Sequence, residues 1–152
     1  AQGNPKELRS YEDIAGNPEV KIAIMSGTVN LGYARKAGIK DSQILQVPDT
    51  TSQLQAVRSG RADAAIGTQL TMRGLAAKAS NDVEAIADFE DDPARAGYGA
   101  LAFRPQDEAL RDAVNAELKQ WLGSEEHLKA VEPFGFDRSN LTDKTAAELC
   151  GA

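Results

Sequence analysis

From residue 20 onward, short apolar runs alternate with amphipathic stretches, and their spacing sets an order of elements. Val20 to Met25 predicts a buried strand. Val29 to Ala37 predicts a helix that Gly38 stops, since glycine readily takes the left-handed conformation beyond a helix end. Gln43 to Val47 predicts a second strand. Pro48-Asp49-Thr50 then caps a helix over Thr51 to Ser59 that turns Leu54, Ala56 and Val57 inward and ends at Gly60. Ala62 to Gly67 predicts a third strand, Gln69 to Ala79 a third helix, and Val83 to Ala87 a fourth strand. Strands and helices alternating over so short a stretch predict the α/β class, a small parallel sheet flanked by helices.

Past the acidic loop Glu90-Asp91-Asp92-Pro93 the pattern changes. Tyr98 to Phe103, between Gly97 and Pro105, predicts one more strand. Asp107 to Leu122 predicts a long helix carrying Leu110, Val114, Leu118, Trp121 and Leu122 at helical spacing. Gly123 stops it, Ser124 caps a further helix to Val131, and Pro133-Phe134-Gly135-Phe136 follows. These helices carry wide apolar faces with no second sheet to cover, so part of their partner surface is expected outside this chain.

Composition narrows the function classes. The net charge of -6 over 152 residues, with no Lys/Arg cluster, opposes a nucleic-acid surface. No apolar run approaches the roughly 20 residues that span a bilayer. The opening Ala1-Gln2-Gly3-Asn4-Pro5-Lys6 reads as a linker rather than as a secretory signal. One cysteine (Cys150) and one histidine (His127) are too few for the usual zinc site, and no cofactor motif is present. Cys150 reads as a tail thiol or half of a disulfide, and His127, among Glu125, Glu126 and Lys129, as a solvated residue. Asp63, entering the third strand after small residues, reads as structural.

In an open α/β sheet, ligands sit beyond the carboxyl ends of the strands, where loops enter helices. Two loops qualify here. Met25-Ser26-Gly27-Thr28-Val29-Asn30 combines hydroxyls, unpaired N–H groups and a helix start, which together attract anions. Ile66-Gly67-Thr68-Gln69 leaves the third strand on the same edge, so Thr28, Asn30 and Thr68 can converge. Helix capping is the competing role for Ser26, Thr28 and Thr68 alike. No catalytic triad, phosphate-binding loop or paired carboxylates in an apolar setting accompanies these loops, so nothing points to catalysis.

The runs Leu8-Arg9-Ser10-Tyr11-Glu12-Asp13-Ile14, Val20 to Thr28, Val57-Arg58-Ser59-Gly60-Arg61-Ala62-Asp63-Ala64 and Tyr98-Gly99-Ala100-Leu101-Ala102-Phe103-Arg104 occur in a familiar order. They resemble the second half of the solute-binding proteins of amino-acid-type ABC importers. Asn4-Pro5-Lys6, Pro133-Phe134-Gly135-Phe136 and Thr145-Ala146-Ala147-Glu148-Leu149-Cys150 resemble the ectoine/hydroxyectoine-binding branch. The resemblance implies a periplasmic-binding-protein lobe of type II over residues 8–96, after a linker over 1–7. Residues 97–104 would form a hinge and crossover strand, and residues 105–152 a helical segment packed on an upstream first lobe. It implies a C-terminal part of a longer periplasmic protein, with an ABC permease in the membrane as its partner. Cys150 could then pair with an upstream cysteine.

Carried over residue by residue, the resemblance implies that Thr28 and the N–H of Val29 hold a solute carboxylate, flanked by Met25, Ser26 and Asn30. Thr68 stands where amino-acid binders place an acid for the α-ammonium, and Met25 where they often place a basic residue. The loss of that acid favours a cyclic zwitterion with a delocalised amidinium charge, such as ectoine. Such a cation suits aromatic faces, and none of the eight aromatic residues (one Trp, three Tyr, four Phe) adjoins these loops. The implied function is non-catalytic binding of ectoine-like compatible solutes. A polar amino-acid binder of the same family, a dehydratase-like enzyme of this fold and the effector-sensing domain of a regulator are the alternatives.

Overall fold

A three-stranded parallel sheet in the order β2-β1-β3 organises the first part of the chain in the computed structural model. The structure describes residues 1–79, 81–92, 95–145 and 148–149. It comprises two compact units, Ala1–Gly97 and Tyr98–Ala152. In the first, β1 (Ile22–Met25) lies between β2 (Ile44–Val47) and β3 (Ala64–Ile66). Ile22 faces Ile44 and Ala64 across the ladders, and Ile24 faces Gln46 and Ile66. Side chains alternate along each strand, so the two faces of β1 have separate cores. Ile22 and Ile24 pack with Ala34 of α2 (Val29–Lys36) and with Tyr11 and Ile14 of α1 (Tyr11–Gly16). Ala23 points the other way, onto Ala56 of α3 (Thr50–Arg58). A strand covered on both sides must be apolar at every position, which is why Ile22 to Met25 reads as an unbroken apolar run.

Helix α4 (Gln69–Lys78) completes the alternation, and the elements β1, α2, β2, α3, β3 and α4 follow the expected order. Helix α1 is an addition. Ser10 Oγ accepts the Asp13 N–H at 3.0 Å while Asp13 Oδ2 accepts the Arg9 N–H at 2.9 Å, a reciprocal arrangement that fixes the first turn. Burial pushes the Tyr11 phenol up to about 12, with Asp91 adding to the rise and Arg95 opposing it.

Two expected strands do not form. Residues 83–87 carry no strand, because their neighbourhood is bonded to the chain start rather than to the three-residue edge of β3. The Gln2 N–H donates to Asp82 O at 3.1 Å, and the Glu90 N–H donates to Arg9 O at 2.6 Å. Ile86 and Phe89 still pack on the core, with Phe89 edge-on to Tyr11 at 5.7 Å between ring centroids. The opening residues are accordingly tied down: the Asn4 side chain bonds both the N–H and the carbonyl of Leu8. Residues 98–103 likewise carry no strand.

The second unit holds α5 (Glu108–Trp121) and α6 (Glu125–Val131). None of the residues of α5 is buried, and Leu110, Leu122 and Phe134 are more than half exposed. His127, expected in solvent, is instead buried. Gly123 ends α5 with a φ of 81°, and Ser124 Oγ accepts the His127 N–H at 3.1 Å to start α6. This turn sets the imidazole edge-on against Trp121, 4.6 Å between centroids, with Nδ1 accepting the Gly123 N–H at 3.2 Å. Cys150 and its expected pairing lie outside the described residues.

Candidate functional site

The sheet order creates a topological switch point. The chain leaves β1 towards β2 and then crosses back to β3 on the other side of β1, so its direction reverses between β1 and β3. The carboxyl ends of those two strands are where open α/β sheets bind ligands. The parallel register of Ile24 opposite Ile66 brings Met25-Ser26-Gly27-Thr28 and Gly67-Thr68 out on the same edge, one strand apart. All six expected residues, Met25, Ser26, Thr28, Val29, Asn30 and Thr68, belong to these two loops and the helix starts that follow them. Met25, Thr28 and Asn30 are half-buried, whereas Ser26, Thr68 and Val29 (68% exposed) face outward.

Gly27 makes the first loop possible. Its φ of 78° lies in the left-handed region, and it bends the chain between β1 and α2 after the Ser26 N–H has made its bond to Val47 O at 2.9 Å. Thr28 then occupies the N-cap position of α2 without capping it. Its hydroxyl donates to Met25 O at 2.8 Å. Among the described residues, the N–H groups of Gly27, Thr28, Val29 and Asn30 donate to no acceptor. The hydroxyl proton is thus engaged, and the anion-attracting groups of this loop are chiefly its amides.

The second loop repeats the arrangement. Thr68 is the N-cap residue of α4, again without a side-chain cap, and its hydroxyl bonds that of Thr71 at 2.8 Å. Two hydroxyls sharing one bond leave one proton for another acceptor. Thr71 therefore joins Thr68 at the candidate loop, a residue that sequence reasoning passed over although a hydroxyl three positions beyond Thr68 was a readable signal. Met72 folds back over the loop so closely that a β-carbon at Gly67 would lie 2.6 Å from Met72 Cε.

Three other helix starts are capped by a side chain, and that of α5, which has no such bond, carries the Asp107 carboxylate. Asp49 accepts the Ser52 N–H at 2.7 Å at α3, and Ser10 and Ser124 cap α1 and α6 in the same way. Hydrogen bonds from Ser52, backbone first, hold the Asp49 carboxyl below the usual carboxylate range. The start of α3, beside β2, therefore supplies its own anion, whereas those of α2 and α4, beside β1 and β3, do not. An uncapped start exposes N–H groups and the positive end of the helix dipole. Neither loop contributes an ionisable side chain between residues 25 and 30 or between 67 and 71. Among the described residues no cluster of His, Cys, Asp or Glu could hold a metal ion.

A parallel α/β sheet flanked by helices is the architecture of a periplasmic-binding-protein lobe, and the comparison with solved structures supports that class for this chain. No protein-family model matches the sequence. The chain is 31% identical over 156 aligned positions to the probable amino-acid ABC transporter periplasmic-binding protein y4tE of Sinorhizobium fredii, an alignment covering 98% of this chain and 51% of that protein. It is similar to the crystal structure of EhuB in complex with hydroxyectoine, with a TM-score of 0.77 and 37% identity, over 99% of this chain and 58% of EhuB. Over nearly its whole length the chain is similar to periplasmic solute-binding proteins of ABC transporters. It spans about half the length of the curated relative it matches.

Proposed function

We propose that this chain forms the second lobe and C-terminal segment of a periplasmic protein that binds an ectoine-like compatible solute for delivery to an ABC permease. The observation that carries this reading is the pair of uncapped helix starts on neighbouring strands, lined by amides and hydroxyls alone. Such a cradle suits the carboxylate of a zwitterion. The N–H groups of Thr28 and Val29 would hold that carboxylate, with Met25, Ser26 and Asn30 beside them. Thr68, with Thr71, would close the other side. An α-ammonium would need a counter-charge that neither loop offers, whereas an amidinium spread over a ring can be held on aromatic faces supplied from elsewhere. The likeness to EhuB, which was crystallised with hydroxyectoine, supports the same solute class.

In this reading residues 1–7 lead in, residues 8–96 form the lobe, residues 97–104 cross at the hinge, and residues 105–152 pack on a first lobe encoded upstream. The exposed apolar side chains Leu110, Leu122 and Phe134 support such a partner surface. Binding is non-catalytic, since hydroxyls and amides supply neither a general acid nor a base near neutral pH.

Calorimetry on the protein carrying both lobes tests the proposal. Ectoine or hydroxyectoine is expected to bind at least about a hundredfold more tightly than glutamine or arginine, a difference of roughly 3 kcal/mol. A preference for either amino acid would defeat the solute assignment. The present chain alone is expected to bind ectoine weakly, because half the pocket is absent, and micromolar affinity would refute the two-lobe site.

A further inference from the structure

We infer that Gln53 is a positioning residue that sets the spacing of the two solute-binding loops; the inference rests on the reading proposed above. Gln53 lies on the buried side of α3 with Ala56 and Val57 and is 1% exposed. An apolar residue would be the ordinary occupant there, since a buried amide is costly unless hydrogen-bonded. Its Nε2 donates to Ala23 O at 3.0 Å and to Ile66 O at 2.9 Å. Those carbonyls belong to β1 and β3, the strands that carry the two loops. Ile66 is the last residue of β3, immediately before Gly67-Thr68, and Ala23 lies two residues before Met25. One side chain therefore bonds both strands just beneath the point where the loops emerge.

The ladder alone is a weak ruler at this place. β3 has three residues, and its register with β1 ends at Ile24 opposite Ile66. At the opposite end of the same pair, Asp63 Oδ2 accepts the Lys21 N–H at 2.8 Å and the Asp63 N–H donates to Lys21 O at 2.7 Å. The strand pair is thus latched at both ends, and Gln53 is the latch on the ligand side. Fixing two polar loops relative to one another before the solute arrives removes an ordering cost from binding.

Two variants and two measurements test this. Gln53→Met keeps the length and apolar stem of the side chain but donates nothing. In the protein carrying both lobes it is expected to lower solute affinity about tenfold, the size of one or two lost neutral hydrogen bonds. In the present chain, amide resonances and hydrogen exchange should change at residues 26–30 and 67–71 while Ile22 and Ala23 remain protected. Unchanged affinity in folded Gln53→Met protein would overturn the inference, as would perturbation confined to α3. Should Gln53→Met fail to fold, Gln53→Glu decides. A buried carboxyl is neutral in mild acid and donates one of the two bonds. Its affinity should fall steeply as pH rises, while that of the wild-type protein stays level, and a flat profile for the variant would count against the latch. If wild-type protein binds no tested solute, the function proposed above fails, and the resonance changes still judge Gln53.

Discussion

At the scale of single residues, the site depends on what its groups do not bond. Thr28 looks like a helix cap in the sequence, yet its hydroxyl turns back to Met25 O and leaves the helix start open. Gly27 is the residue on which this geometry turns. A β-carbon there would meet nothing within 4 Å, so any cost of Gly27→Ala is conformational rather than steric. An L-residue in the left-handed region costs roughly 1 to 2 kcal/mol. Gly27→Ala is therefore expected to lower stability by about 1 kcal/mol, measured by urea unfolding, and to weaken solute binding as the loop relaxes. Gly67→Ala makes a useful comparison. It needs only the flexible tip of Met72 to move, and its backbone carries no positive φ, so its penalty should be the smaller.

At the scale of elements, apolar spacing and glycine stops were enough to place β1 to β3 and α2 to α6 within a residue or two of their observed ends. The misses share a physical origin. Residues 83–87 and 98–103 have the composition of strands, but a strand needs a neighbour, and hydropathy along one chain does not supply it. Helix α1 was not anticipated, since six residues are too few for a periodic signal. Gln43, Gln53 and His127 are buried polar residues, which a pattern of apolar positions necessarily assigns to the surface. The candidate loops were readable because glycine beside hydroxyls marks a strand-to-helix turn. Whether those hydroxyls cap their helices was not readable, because that depends on side-chain torsions.

Helix α3 offers a test of capping in acid. The folded value of the Asp49 carboxyl lies below its ordinary value of 3.8. The cap therefore contributes stability above the ordinary value and loses it as pH falls through the folded one. Asp49→Asn retains an acceptor without a titrating group. Its stability is expected to decline less steeply in acid than that of the wild-type chain, as followed by urea midpoints across the acid range. Parallel curves would show that the carboxylate does not matter to the cap.

At the scale of the whole molecule, the two units differ in how they are held together. Ala1–Gly97 has a core on each face of its sheet, whereas His127 is the one buried residue among those described in Tyr98–Ala152. Helix α5, with no buried residue of its own, has an apolar stripe still to cover. The loops Met25–Asn30 and Gly67–Thr71 impose a different condition, on where a protein built from this lobe can work. Amides and hydroxyls have no proton to gain or lose under ordinary conditions, so in the proposed function acidification of the surroundings would not alter the hold of these loops. Solute affinity through this lobe is expected to stay level from about pH 5 to pH 8, the interval in which a histidine-based clamp would switch. Calorimetric titrations across that interval would expose any slope. A level response would mean that, in the proposed function, this lobe contributes the same hold on its solute in sour and neutral environments.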